Sequence, residues 1–139
     1  MAAEFKEKEG TIASVLKMKH VVFDEITFKR RGFKTKGDTQ LGIGKHVERT
    51  GEGQYQVTLS VQVEKKQEYD AVVTVTAYCE ISENTPDKDR ILNENAIAIL
   101  FPYVRAQLTL ITAQPETDAL VLPAVNINAM IKEAKGLER

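Results

Sequence analysis

The stretch QYQVTLSVQVEKKQEYDAVVTVTAYCEI, residues 54–81, decides the fold of this chain. Apolar and polar residues alternate strictly from Gln54 to Glu64, and the same alternation runs from Tyr69 to Ile81. A period of two with one apolar face is typical of a β-strand that packs one face on a core. The polar residues Lys65–Glu68 between the two segments are few enough for a hairpin connection. We therefore predict two antiparallel strands joined in a hairpin.

Two further strands are predicted before this hairpin. Val15–Lys29 is rich in β-branched and aromatic residues, but its alternation slips near Val21–Phe23, which predicts a β-bulge. Leu41–Arg49 alternates less regularly, with glycines between its apolar positions. A turn at Gly51–Gly53 leads into the hairpin. We expect the four strands to form an antiparallel meander.

The second half of the chain changes to a helical period. Thr85 and Pro86 suit the first turn of a helix, with Thr85 as the capping residue. Apolar residues then form two stripes, so that the helix is apolar nearly all round from about Ala96 onward. The first stripe consists of Ile97, Leu100, Phe101, Val104, Leu108 and Ile111. The second stripe consists of Leu92, Ala96, Ile99, Tyr103 and Leu110. A helix on one sheet needs only one apolar face, so a second subunit is expected to cover the other. Pro102 predicts a kink.

The last quarter of the chain is predicted to hold one short helix. A polar break at Gln114–Asp118 precedes the apolar extended segment Ala119–Pro123. Asn126 is expected to cap a final helix that ends at Gly136. The whole is interpreted as one α+β domain over residues 1–139, with the long helix packed on one face of the sheet.

Composition excludes several classes of partner. The net charge of -1 and the pI near 6.2 give no electrostatic basis for binding nucleic acid or an anionic membrane. The polar N-terminus and the lack of a long apolar run predict a cytoplasmic protein without membrane insertion. One cysteine cannot form an internal disulfide. The basic cluster Lys29–Lys36 is interpreted as a solvated loop, with a minor anion-binding patch as the alternative.

Catalytic and metal-binding patterns are absent from the sequence. His20 and His46 are the only histidines, which makes a zinc site improbable. Cys79 falls on the apolar face of its strand and is expected to be an inert thiol. Asp24 and Glu25 are adjacent in a strand and are expected to face opposite ways. We predict no catalytic residues, no metal, no cofactor and no enzymatic activity.

Two blocks in the second half carry a family resemblance. ILFPYVR at residues 99–105 and LVLPAVNINA at residues 120–129 resemble the SecB family of export chaperones, and the likeness extends over residues 97–131. The resemblance implies a four-stranded sheet covered by a long helix, in subunits that assemble as dimers of dimers. It also implies binding of unfolded polypeptides in apolar grooves without nucleotide, and delivery to the translocase motor through acidic residues on the sheet.

The sequence departs from this family at the acidic surface. Glu25 keeps an acid and is the candidate for docking a partner, but Lys29 and Thr74 stand where further acids are expected. The function that the resemblance predicts is a polypeptide-binding holdase. The alternative is a regulatory module with one specific protein partner and no export role.

The resemblance also supplies candidate residues for the client groove, and the stripes of the long helix supply those for the contact between subunits. Those for the client groove are Leu41, Ile43, Leu120, Leu122, Ile127 and Met130, with plain core packing as the alternative for each. Those for the contact between subunits are Ile97, Ile99, Phe101, Tyr103, Val104, Leu108 and Ile111. Val104→Asp is expected to break the oligomer.

Overall fold

The computed structural model describes residues 15–124 and 126–137. One antiparallel sheet contains β1 (Lys17–Arg30), β2 (Thr39–Gly51), β3 (Gln54–Lys65) and β4 (Tyr69–Glu80). The helices that follow are α1 (Lys88–Arg90), a π-helical segment (Ile91–Asn95), α2 (Ala96–Thr112) and, after an extended segment, α3 (Ile127–Leu137). The predicted α+β class, with one long and one short helix on a four-stranded sheet, is confirmed.

The β3–β4 hairpin forms the centre of the core, as its alternation predicted. Tyr55 pairs with Cys79 and Val63 with Ala71, so that the apolar positions of both strands share one face. That face is almost completely buried along its whole length. The opposite face carries hydroxyls that bond across the strands, Thr58 to Thr76 at 2.9 Å and Ser60 to Thr74 at 2.8 Å. The long helix packs on the apolar face, over β3 and β4 more than over β1.

The prediction of a four-stranded meander is wrong for the first strand. The strand order is β1-β4-β3-β2, so β1 pairs with the last strand and only β2, β3 and β4 follow one another. The sheet is therefore a Greek key, in which one long connection returns a strand to the far side of a three-stranded meander. This connection, residues 31–38, is called the crossover below.

Contacts with the hairpin connector hold the crossover in place. The amides of Arg31 and Gly32 both donate to the main-chain oxygen of Glu68, at 2.8 and 3.2 Å. The amide of Thr35 donates to the Glu68 carboxylate at 2.6 Å, and Lys65 lies 3.3 Å from the same carboxylate oxygen. Glu68 is fully buried, although it belongs to a connector that reads as polar and solvated in the sequence. These contacts fix the crossover against the connector, next to the end of β1.

The predicted bulge in β1 is confirmed, and it changes which way the next side chains point. The register with β4 shifts between Met18 and His20 and again between Phe23 and Glu25. At the second shift Asp24 is the extra residue, and it accepts a hydrogen bond from Thr76 on the polar face. Glu25 pairs with Thr74 on that same face. The expectation that Asp24 and Glu25 face opposite ways is therefore wrong, because a bulge interrupts the alternation.

The long helix begins later than predicted. Thr85 forms no side-chain cap; its main-chain oxygen accepts from Lys88 in a turn, and Asp87 precedes the helix with a φ of 56°. Backbone angles stay helical at Arg90, Ile91 and Asn95, so α1, the π-helical segment and α2 form one continuous helix. Pro102 lies inside it, and the kink stays a prediction.

The extended segment after the long helix is tied to the helix by two threonines. The Thr109 hydroxyl donates to the Leu120 carbonyl at 2.8 Å, and the Leu120 amide donates to the Thr112 hydroxyl at 2.8 Å. Asn126 caps α3 as predicted, because its side-chain oxygen accepts from the amides of Asn128 and Ala129. The helix runs through Gly136 to Leu137, one residue beyond the predicted end. The prediction of a single domain over residues 1–139 extends beyond the described residues and stays a prediction.

A carboxylate at the other end of the sheet joins three elements. Glu83 accepts hydrogen bonds from the Gly53 amide at 2.7 Å, the Tyr55 hydroxyl at 2.9 and 3.0 Å, Lys88 at 3.0 Å and Arg49 at 3.2 Å. The bond from the Gly53 amide, helped by Lys88 and Tyr55, lowers the pKa of Glu83 to about 2. The charged form of Glu83 therefore links the β2–β3 turn to the start of the long helix.

Substitution of Gly32 tests the role of the crossover. A Cβ on Gly32 would lie 2.3 Å from the main-chain oxygen of Gln67, which cannot rotate away. We expect Gly32→Ala to lower the free energy of unfolding by about 1–3 kcal/mol in urea denaturation. The control is Gly44→Ala, where a Cβ meets nothing within 4 Å, and it should leave stability unchanged or slightly higher. Equal stability of the two variants would contradict the packing of the crossover on the connector.

The low pKa of Glu83 predicts a pH-dependent contribution to stability. Because the folded protein holds the proton less tightly than the unfolded chain, the stabilisation is complete above the ordinary value of 4.5 and is lost as pH falls towards about 2. The melting temperature of Glu83→Gln should therefore lie below that of the wild type at neutral pH, and the difference should shrink across this window. The exposed Glu48, replaced by Gln, is the control and should show no such convergence. A constant difference would count against the ionised network.

Candidate functional site

The first stripe of the long helix faces its own sheet. Ile97, Val104 and Leu108 are completely buried in the single chain, and Phe101 is nearly so. They belong to one core cluster with the apolar positions of β3 and β4, and Ile111 packs against its edge. The prediction that this stripe contacts a second subunit is wrong for its buried members, because the sheet of the same chain already covers them, and it stays a prediction for Ile111.

The second stripe supplies the surplus apolar surface that the sequence predicted. Ile99 and Tyr103 are exposed, by 42% and 46%, and Leu110 by 66%. Leu92 and Ala96, which the sequence also assigned to this stripe, are buried. The exposed surface is therefore narrower than predicted. We call Ile99, Tyr103 and Leu110 the outer stripe.

The candidates for a client groove divide into core residues and partly exposed ones. Leu122 and Ile127 are buried in the core cluster, so the alternative of plain core packing holds for both. Ile43 and Leu120 are half-buried against that cluster. Met130 on α3 is half-buried, and Leu41 is the only one of the six candidates whose side chain is exposed. The helix α3, which carries Ile127 and Met130, packs against both β2 and α2.

Two more exposed apolar residues were missed in the sequence. Phe33 in the crossover is 80% exposed, and Val121 in the extended segment is 71% exposed. The Lys34–Asp118 ion pair, at 2.8 Å, places the crossover beside the extended segment. A signal for Val121 was present, since it alternates with the inward-facing Leu120 and Leu122. For Phe33 the sequence carried no signal except that it is an aromatic residue within a basic cluster.

The basic cluster at residues 29–36 is largely engaged in structure. The Arg30 guanidinium donates to the carbonyls of Gly32 and Pro115 and to the Thr117 hydroxyl. Arg31 pairs with Asp70 at 3.0 Å, and Lys34 pairs with Asp118. These pairs are exposed, and exposed ion pairs contribute little to stability. These pairs orient the crossover. Because they also neutralise two of its cations, the positively charged surface is smaller than the sequence suggests.

The docking candidate Glu25 lies on the polar face of the sheet. It is exposed and stands opposite Thr74, next to Asp24 at the bulge. Around it the face is lined mainly by hydroxyls, from Thr58, Ser60 and Thr76. The role of Glu25 in docking stays a prediction.

The remaining reactive groups are arranged for structure. Burial raises the pKa of Cys79 to about 11, and its sulfur lies 3.4 Å from that of Met18, which fits an inert thiol. Within residues 15–124 and 126–137, no three His, Cys, Asp or Glu side chains are grouped so as to hold a metal ion. In that same part of the chain, no helix is long and apolar enough to cross a membrane.

Comparisons with known proteins agree with this fold. The family described as preprotein translocase subunit SecB matches residues 13–136. A SecB-like chaperone from Mycobacterium tuberculosis, solved in complex with a ChAD peptide from an antitoxin, superimposes with a TM-score of 0.67. Their identity is 12%, over 82% of this chain and 93% of that one, so this likeness concerns the fold alone.

One curated protein shares a closer but shorter stretch of sequence. An uncharacterized protein from Methanocaldococcus jannaschii is 42% identical over 60 residues. These residues make up 42% of this chain and 39% of that protein, so the match spans less than half the length of the relative.

Proposed function

We propose that this chain, which belongs to the SecB family, binds unfolded or partly folded polypeptides as a chaperone that uses no nucleotide and catalyses no reaction. The observation that carries the proposal is the exposure of three apolar side chains, Phe33, Leu41 and Val121. We call these three residues the apolar rim. They come from the crossover, β2 and the extended segment, which adjoin one another through the Lys34–Asp118 pair and through the chain itself.

The edge of β2 supports binding of an extended polypeptide next to this rim. Among the described residues, β2 is an outermost strand of the sheet and pairs only with β3, so that one row of its amides and carbonyls has no strand partner there. An extended peptide can add to such an edge through main-chain hydrogen bonds, which do not depend on its sequence. Apolar side chains of the peptide would then contact the rim. This combination suits a protein that accepts many clients.

A single dedicated partner is the second candidate function. The SecB-like chaperone from Mycobacterium tuberculosis was solved with a peptide from an antitoxin, so this fold can present a site to one defined segment. The hydroxyl-rich polar face, with Thr74 opposite Glu25, also differs from the acidic docking surface that the family resemblance implies. Under this alternative the chain regulates or protects one protein and has no export role.

We propose that the outer stripe contacts a second copy of the chain. Its members recur along one face of the long helix, opposite the face that packs on the sheet. Burial of large apolar side chains between helices stabilises association by about 25 cal/mol for each Å² removed from water. Dimers and a dimer of dimers both satisfy this arrangement.

An aggregation assay tests the chaperone proposal. The wild type should suppress light scattering of a chemically denatured client at a stoichiometric ratio, and the double variant Phe33→Asp, Val121→Asp should suppress it less, because charges replace apolar contacts. Val22→Asp, an exposed apolar position on the polar face of the sheet, is the control and should behave like the wild type. Clients of unrelated sequence should compete with one another. Failure of the wild type to suppress aggregation at several-fold excess would overturn the proposal, and activity on one client only would favour the dedicated partner.

A neighbouring pair of residues separates assembly from folding. Tyr103→Asp places a charge on the outer stripe and should lower the mass measured by light scattering while the circular dichroism spectrum stays folded. Val104→Asp places a charge in the completely buried core, which costs several kcal/mol, and should unfold the subunit. Unfolding of the subunit therefore replaces the expectation that Val104→Asp breaks the oligomer. An unchanged mass for a well-folded Tyr103→Asp would exclude the outer stripe as the contact.

A further inference from the structure

A cleft lies between the long helix and the start of α3, on the side of α2 that adjoins the extended segment. Its volume is about 440 Å³. Phe101, Pro102 and Ile127 supply apolar walls, and Glu94, Arg105 and Asn128 supply the polar groups on which the argument depends. A cleft with apolar walls and a few convergent polar groups is the usual form of a binding site.

Arg105 is the cation of this cleft. It is half-buried, and within residues 15–124 and 126–137 its guanidinium makes no hydrogen bond or ion pair. Glu94 is the only carboxylate among the described residues that line the cleft, and it lies 3.8 Å from Lys132 instead. A guanidinium has five N–H donors in a planar fork that matches a carboxylate. A partly desolvated arginine beside apolar walls is therefore complementary to a carboxylate that comes from outside the subunit.

Asn128 adds a second requirement for the ligand. Its side-chain amide donates to the Glu94 main-chain oxygen at 2.9 Å, and this bond fixes which end of the amide is the nitrogen. The amide oxygen is buried and has no hydrogen-bond partner among the described residues. A buried acceptor without a donor costs about 1–3 kcal/mol, which a ligand with an N–H group would recover. The cleft is therefore complementary to a ligand that has a carboxylate, a hydrogen-bond donor and an apolar group.

We propose that this cleft binds an acidic residue of a polypeptide, with the Asp or Glu carboxylate on the Arg105 guanidinium and a main-chain N–H on the Asn128 side-chain oxygen. The apolar walls take the side chain of a neighbouring residue. The inference rests on the proposed function, since it assigns chemistry to one part of a bound client. It selects, among clients, those in which an acidic residue adjoins an apolar one.

Matched peptides test this assignment. Two fluorescent peptides of apolar sequence, identical except for one Glu or Gln, are titrated against the full chain by anisotropy. The wild type should bind the Glu peptide about tenfold more tightly, the order expected for a charge-assisted hydrogen bond. Arg105→Gln should lose this preference by weakening only the Glu peptide, and Arg105→Lys should retain part of it. The control is Arg90→Gln, on the same helix but exposed and paired with Asp87, and it should keep the full preference.

The outcomes separate this inference from the proposed function. Equal binding of the two peptides by the wild type, or a preference that survives in Arg105→Gln, overturns the acidic site while leaving polypeptide binding intact. Absence of binding for both peptides, together with no suppression of aggregation, overturns both proposals. A folded Arg105→Gln with a lower mass by light scattering would assign Arg105 to a contact between subunits and would also overturn the site.

Discussion

The dry face of the β3–β4 hairpin is the constraint on which the rest of the structure depends. Its apolar positions from Tyr55 to Cys79 line up in register and must be removed from water, and the long helix does this with one of its two apolar stripes. Burial of this face therefore decides which side of the helix is core. The other side, with Tyr103 at its centre, is left exposed as a consequence of packing, and it becomes available for assembly.

The same hairpin also positions the candidate binding surfaces through its connector. Glu68 is buried there and holds the crossover by main-chain and side-chain bonds, while Arg30 and Lys34 reach from the crossover side to the segment after the long helix. Phe33 and Val121 are consequently presented on elements that are fixed at several points. Preorganised apolar groups lose less entropy on binding than mobile ones, which suits a surface that holds extended chains.

Family membership and the local chemistry bear on different parts of the function. The SecB match accounts for the fold and for polypeptide binding as the family's activity. The local chemistry includes the polar face of the sheet, where Glu25 stands opposite Thr74 among hydroxyls. It also includes the cleft at Arg105, where a half-buried guanidinium without a partner among the described residues lies beside apolar walls. The proposed site thus gives a general holding protein a means to favour some clients over others.

The sequence by itself determined the elements whose pattern is local. Alternation predicted β3 and β4 within a residue at each end, and the slip near Phe23 predicted the bulge. Only the tertiary structure decided the place of β1, the orientation of Asp24 and the division of the helix into a core stripe and an outer stripe. Those features depend on contacts between residues far apart in the chain, such as Gly32 with Gln67 and Thr109 with Leu120, and periodicity does not record them. The exposure of Phe33 and the lack of a partner for Arg105 among the described residues belong to this second group, because the solvation of a side chain depends on which residues the fold places next to it.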